Sequence, residues 1–411
     1  MTMAADKQDK VLNVPNKREQ SQTCLNSAER AGLRPKDNVP TLRFPEFTEE
    51  WAALSIEDCL IRLENGANYD TNDVEGYPMS RIETISTSRI DYSKVGHSAN
   101  LKNAEHYRML YGDILFSHIN SVRHIGKTAY YEAEKPLYHG MNLLLLRCKS
   151  EIDSKYIYYI LNSQKFLRKC QVLAKQAVNQ ASISTSDLRK IRLFVPQHVE
   201  QEKIAKFLSC IDNRINTQIR IIEDLKLFRS AIYQKVFSSM HGEAVALCKI
   251  TDIIKGKQIN GTELYDTGDY YVMNGGIVPS GYYNDYNTPA NTISISEGGN
   301  SCGYVQFNDV PFWSGGHCYT LSISSSQIDL RYLFHYLKYR EQDIMALRIG
   351  SGLPNIQKKN LERFQILIPT FDEQHRYAKI FDSLQHKEVV EASLLNKWQT
   401  QKQYLLRQMF I

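Results

Sequence analysis

The chain is 411 residues long, 42% hydrophobic and 23% charged, too long for one ordinary core and typical of two or three soluble domains rather than a fibrous or disordered polypeptide. A formal net charge of +5 permits a polyanionic partner without demonstrating one. The eight cysteines include no Cys-x-x-Cys pair, which excludes zinc-ribbon spacing and reads as reduced cytosolic thiols.

Residues 1–40 are rich in Lys, Gln, Asn, Asp and Ser without a sustained period, the pattern of a disordered leader that lacks the apolar stretch of a signal peptide. The longest purely apolar run, Leu143–Leu146, is a strand's worth and cannot span a bilayer, so a cytoplasmic protein with no membrane partner is expected. From Thr41 apolar and polar residues alternate up to Trp51, where the first globular part, residues 41–195, is expected to begin.

Within it, Ile56–Leu63 allows a short helix, while Asp113–Ser117, Gly126–Tyr131 and Asn142–Arg147 predict buried strands bounded by Gly and polar turns. Ser154–Leu161 closes its apolar positions on one helical face. A second globular part, residues 241–368, repeats this order in shorter form: Leu247–Ile254, strands at Asn291–Ser296, Gly303–Phe307 and Cys318–Ile323, then a helix at Leu330–Tyr339.

Each globular part leads into a long helix, spanning 196–240 and 369–411. Pro196-Gln-His-Val-Glu-Gln recurs as Pro369-Thr-Phe-Asp-Glu-Gln, an offset of 369 − 196 = 173 that also superposes Ile183 on Ile356, Leu188 on Leu361 and Phe237 on Phe410. In the first helix, steps of four and three give Ile204, Leu208, Ile211, Ile215, Gln218, Ile222, Leu225, Arg229, Ile232 and Val236, a heptad seam with two polar breaks. The second helix carries its own breaks at Glu388 and Glu391. At 1.5 Å per residue such helices are about 60 Å long, and neither holds together alone. Connectivity predicts that they pack antiparallel.

The arrangement from about residue 41 to 411 resembles the specificity subunit of Type I restriction-modification systems. Leu42–Trp51, the strand Gly112–Ser117, the Pro-x-x-x-Glu-Gln helix starts at Pro196 and Pro369, and Gly315-Gly-His317 carry the resemblance. It implies an α+β fold: two similar mixed α/β target recognition domains joined by two long antiparallel helices, a pseudo-twofold tandem repeat. It also implies a non-catalytic subunit that reads a bipartite site on double-stranded DNA, with adenine methylation and cleavage supplied by partners. Those partners are two modification subunits using S-adenosylmethionine and restriction subunits using ATP and Mg. The outward faces of the long helices, with Lys203, Lys206, Arg214, Arg220 and Lys379, are the expected docking surface for the modification subunits.

Direct readout of base edges needs groove-matching donors and acceptors, with Lys and Arg on phosphates. In the first globular part the loop after the 113–117 strand offers Ser117, His118, Asn120, Arg123 and Lys127, joined by Arg81, Arg89, Lys175, Asn179 and Gln180. The counterparts in the second are Asn274, Asn300, Ser301, Ser314, His317, Arg348 and Lys358. His118, His124, His139 and His317 have no nucleophile or carboxylate at a recognisable spacing. Neither the Pro-Pro tetrapeptide of adenine methyltransferases nor a phosphate-binding Gly-rich loop occurs, and no metal site is expected. The competing reading is a coiled-coil scaffold with two domains that bind something other than DNA.

Overall fold

The computed structural model describes residues 38–411 apart from 71–72, 122–123, 177–180, 351 and 353. The chain divides into two compact units. The first takes in residues up to Asn213 together with Gln399–Ile411, and the second is Arg214–Trp398. Among the described residues no helix is long and apolar enough to cross a membrane.

In the first unit Ala52–Ser55 pairs antiparallel with Arg192–Val195. Ser55 then caps a single helical turn, Ile56–Cys59, through a reciprocal box with Asp58. The helix expected over Ile56–Leu63 stops there, because from Leu60 the chain pairs antiparallel with Leu144–Cys148. A bulge between Leu60 and Arg62 shifts the register, so that Leu60 and Leu63 both lie in the core while Ile61 is 67% exposed, and Leu60–Asn65 becomes the edge of a four-stranded antiparallel sheet. Its order is Leu60–Asn65, Leu144–Cys148, Ile114–Phe116, Thr128–Tyr130. Ile114, Leu115, Phe116 and Leu144–Leu146 are completely buried, which explains why these strands are continuously apolar. The helix Ser154–Leu161, capped by Asp153, is followed by Gln164–Leu173 and Thr185–Arg189.

The second unit repeats the topology. Glu243–Ala246 pairs with Gln365–Ile368, and the sheet order Thr251–Lys255, Cys318–Ile323, Thr292–Ser296, Val305–Asn308 matches strand for strand. Asp329 caps Leu330–Tyr339 as Asp153 caps its counterpart. What differs lies between the framework strands. The first unit inserts the hairpin Tyr77–Met79/Gly96–Ser98. The second inserts a small sheet in which Tyr270–Met273 pairs antiparallel with Gly281–Tyr283 and parallel with Trp313–Ser314.

The repeated Pro-x-x-x-Glu-Gln motif owes its constancy to the glutamine. Gln201 accepts the Asp153 N–H at 2.9 Å and donates to the Pro196 carbonyl at 2.9 Å. Gln374 accepts the Asp329 N–H at 2.8 Å and donates to the Pro369 carbonyl at 3.0 Å. One buried amide thus satisfies a donor and an acceptor left over at two helix starts. The glutamate beside it is free to differ. Glu200 is buried in a bidentate pair with Arg43, whereas Glu373 caps the Thr370 backbone.

The long helices are His198–Ser238 and Phe371–Gln408. In the second unit Arg214 lies over Trp398, Gln218 bonds Glu391, Arg229 pairs with Glu388 and Tyr233 packs on Phe381, so one number rises as the other falls. The helices therefore run antiparallel, and Asp212–Lys402 at 2.6 Å shows the same direction in the first unit. Ile204, Leu208, Ile211, Ile215, Gln218 and Ile222 of the expected seam are buried, and Leu225, Arg229, Ile232 and Val236 are half-buried.

A polar hub ties this helix pair to the rest of the second unit. His335, fully buried on the helix Leu330–Tyr339, meets Tyr233 of the first long helix at 2.8 Å and Asp382 of the second at 2.7 Å. Arg331 also bonds Asp382. Burial holds the His335 imidazole below its usual range. The neutral ring therefore donates from Nε2 to the carboxylate and accepts the tyrosine hydroxyl at Nδ1. Burial works against the Asp382 charge, but the bonds from His335 and Arg331 outweigh it and hold the carboxyl at about 2. A depressed carboxyl contributes stability that is present above the unfolded value near pH 4 and is lost as pH falls through the folded one. Urea denaturation at stepped pH is expected to show wild type losing stability between about pH 4 and pH 2 by an increment absent from Asp382→Asn.

Candidate nucleic-acid interface

In both units the second-innermost strand of the four-stranded sheet ends in a serine whose backbone is clamped on both sides. Ser117 N donates to Lys127 O at 2.8 Å and Ser117 O accepts from Gly126 N at 2.9 Å. In the second unit Ser296 makes the same two bonds with Tyr304 O and Gly303 N, at 3.0 and 2.8 Å. Gly126 and Gly303 have φ of +82° and +91°, left-handed values that a side chain resists. The clamp closes off a loop that opens at His118 in the first unit and at Glu297 in the second.

A short backbone ladder then seats each loop. Ile183 N donates to His118 O at 2.9 Å, Ile119–Asn120 pairs with Ala181–Ser182, and that strand pairs with Lys175–Gln176. Equivalently, Ile356 N donates to Glu297 O at 2.8 Å, Gly298 bridges Asn355, and Asn355 bridges Ile349. The offset of 173 carries Lys175 to Arg348 and Ser182 to Asn355. Each unit thus presents one loop, one seating segment and one exposed cation, Lys175 at the ladder itself and Arg348 one residue before its ladder partner Ile349.

The predicted residues separate on this frame. Ser117, His118, Asn120, Lys127 and Lys175 come together, as do Asn300, Ser301, His317 and Arg348. Within the clusters several are spent on local structure. Asn120 bonds Ser117 Oγ at 3.1 Å and Ser121 N at 2.8 Å, and the Lys127 ammonium holds the Ser86 carbonyl at 2.7 Å. Ser117 and His118 are buried. Asn274 accepts the His317 N–H and props the Gly315-Gly316 turn, while Ser314 is 1% exposed with its backbone clasped by Asn287. Arg81 lies apart beside Tyr69 and Gly96, its Nε buried without a hydrogen bond. Arg89 is exposed next to Ser88, whose carbonyl accepts from Tyr158. Lys358 is exposed, 3.8 Å from Glu362. Arg123, Asn179 and Gln180 lie outside the described residues.

Burial pushes the imidazoles of His118 and His139 down to about 4, so both are neutral near pH 7. His139 Nε2 bonds the Leu143 carbonyl at 3.0 Å and belongs to the core. No cluster of potential metal ligands occurs among the described residues.

Sequence reasoning overlooked two features. Between Lys257 and Arg331 the second globular part has no Lys or Arg at all but seven carboxylates, Glu263, Asp266, Asp269, Asp285, Glu297, Asp309 and Asp329. A plain count along the chain would have shown it. The other is the bonding of Glu297, in the 297–301 loop that the sequence does mark: one oxygen binds Lys255 at 2.6 Å and Tyr319 at 2.9 Å, and the other is buried without a hydrogen bond. An orphaned buried polar atom costs about 1–3 kcal/mol.

The family described as Type I restriction modification DNA specificity domain matches residues 49–226 and again 243–397. A Methanocaldococcus jannaschii protein bearing the name type I restriction enzyme MjaX specificity subunit is 30% identical over 405 residues, spanning 89% of this chain and 94% of its own. A Mycoplasma genitalium protein named as a type I specificity subunit is 26% identical over 255 residues, 58% of this chain and 65% of that one. Among solved structures, the S subunit of a type I restriction-modification system from M. genitalium superposes with a TM-score of 0.64 at 21% identity, covering 91% of this chain and 99% of that one.

Two positive-φ glycines of the second unit, the clamp residue Gly303 and the loop residue Gly299, make a direct check of the loop geometry. A Cβ on Gly303 would sit 2.8 Å from Met345 Cα and 2.9 Å from Met345 N, whereas one on Gly299 (φ +75°) meets nothing within 4 Å. Gly299→Ala is expected to cost only left-handed strain, about 1–2 kcal/mol. Gly303→Ala should cost clearly more in urea denaturation, because backbone must move.

Proposed function

From the premise that this chain belongs to the type I restriction-modification DNA specificity family, we propose that each of its two recognition domains reads one half of a bipartite DNA target and directs adenine methylation by partner subunits. The observation that carries this reading is the duplicated loop, seating strand and cation at the end of the same sheet strand in both units. A reader of base edges needs a presented loop held by rigid strands, with positive charge nearby for the phosphates. Lys175, paired with Ser182, supplies that charge in the first unit, and Arg348, next to the Asn355 partner Ile349, supplies it in the second. The framework stays constant while the loops vary, so the two halves of the target can differ.

The two long antiparallel helices act as the spacer between half-sites. Base edges present themselves in the same direction once per turn of about 34 Å, so two readers need a fixed separation and rotation, and helix length sets both. The modification subunits, two per complex, dock on the outer helix faces. In the second unit these carry exposed apolar side chains, Leu227 (70%), Phe228 (54%), Val389 (61%) and Val390 (48%), among charged neighbours. Exposed apolar residues rimmed by charge suit a protein partner. Lys206, Arg220 and Lys379 are exposed there, while Lys203 reaches Glu46 and lies over Phe44, and Arg214 lies over Trp398. This chain contributes recognition and no catalytic group. S-adenosylmethionine, ATP and Mg belong to the modification and restriction subunits, all working in the cytoplasm.

Coexpression with a type I modification subunit followed by methylome sequencing is expected to give adenine methylation at a split motif. Methylation indifferent to sequence context would overturn the reading. Removing one heptad from each long helix, in register, is expected to shorten the gap between the half-sites by about three base pairs, from 1.5 Å per residue and 3.4 Å per base pair. Both half-sites should stay unchanged, and an unaltered gap in the same sequencing assay would refute the spacer role.

A further inference from the structure

The loops of the two units begin at equivalent residues that differ in chemistry. His118 follows the clamped Ser117, and its carbonyl accepts from Ile183 N; Glu297 follows the clamped Ser296, and its carbonyl accepts from Ile356 N. Both residues are buried, at 6% and 8% exposure, and each holds one polar atom without a hydrogen bond, His118 Nδ1 and Glu297 Oε2. Of ten buried side-chain atoms without a hydrogen bond among the described residues, these two stand at the same backbone position of the two units. Buried polar groups are ordinarily satisfied, so a repeated orphan at the root of both loops marks a place where a ligand atom or its bridging water completes the bonding.

Glu297 is held ready for this. Lys255 and Tyr319 both bond Oε1, fixing the carboxylate plane and leaving Oε2 as a pure acceptor. His317 Nδ1 lies 3.7 Å from Oε2, on a side chain 62% exposed. An exposed side chain changes rotamer quickly, so the imidazole can uncover the oxygen without disturbing the fold.

We infer that position 118/297 is a specificity-determining position, and that Glu297 Oε2 accepts a hydrogen bond, directly or through one water, from the exocyclic amine of an adenine or cytosine in the half-site read by the second recognition domain. This rests on the reading above. A carboxylate can only accept, and of the base groups in the major groove only adenine N6 and cytosine N4 donate. His118, neutral near pH 7, offers a donor and an acceptor. It serves the other half-site with different preferences.

The test uses the full chain in complex with its modification subunit, comparing wild type, Glu297→Gln and His118→Asn by methylome sequencing. The glutamine keeps the shape but can turn the free acceptor into a donor. It is therefore expected to change base preference at one position of the second half-site at least tenfold, toward guanine or thymine, while the first half-site is untouched. His118→Asn should alter one position of the first half-site alone. Both variants methylating the wild-type motif unchanged would overturn the inference while the bipartite reading stands; a wild type with no split motif would overturn both. Should a variant fail to fold, wild-type binding to target duplexes decides. Purine replacing adenine, or pyrimidin-2-one replacing cytosine, removes one exocyclic amine at a time. A tenfold or greater loss confined to one position of the second half-site, absent from Glu297→Gln if that variant folds, supports the assignment. Equal binding at every substituted position overturns it.

Discussion

The register of the two long helices depends on polar residues placed in an apolar seam. Gln218 and Arg229 interrupt the heptads of the first helix, Glu391 and Glu388 those of the second, and the structure pairs them with each other at 2.6 and 3.2 Å. An apolar seam alone tolerates sliding by a heptad, because one leucine serves much like another. Sliding here would bury two carboxylates without partners, which is far more costly than any gain from the pairs themselves. Gln218 also meets the residue 173 positions on, its own repeat counterpart, which is what an antiparallel pair built from one duplicated helix should show at its centre of symmetry.

Around that pairing the two units share what holds them and differ in what they present. Gln201 and Gln374 do one job twice, because two leftover backbone groups at a strand-to-helix junction need an amide of one geometry. Phe237 packs on Tyr332 in the second unit as Phe410 packs on Tyr156 in the first. The hubs beneath have drifted. The second unit uses His335, Tyr233, Asp382 and Arg331, while the first uses Tyr159, Ser209, Asp212 and Lys402. Either set satisfies its buried groups, so selection for stability leaves the choice open. Between the framework strands, where a hairpin in one unit answers a three-stranded tyrosine-rich sheet in the other, nothing constrains the two to agree.

The contrast extends to charge. The stretch 258–330 has seven carboxylates and no Lys or Arg, and one of those carboxylates, Glu297, is paired with Lys255. Basic residues gather instead at Lys255, Lys257 and the 348–359 segment, beside the loop that Glu297 opens.

By itself the sequence determined the tandem plan, the apolar strands around Ile114 and Leu144, the helices Ser154–Leu161 and Leu330–Tyr339, and the antiparallel long helices. Each of these follows from a local period, a cap or the connectivity, which are properties of neighbouring residues. It left Ile56–Leu63 ambiguous, since four residues of helix and six of strand share one apolar run. Only the tertiary structure decided that Gln218 answers Glu391, that Ser117 and Ser314 are buried rather than presented, and that His118 and Glu297 occupy one position. Those facts depend on which backbone groups meet across the chain, and no period or spacing along it records them.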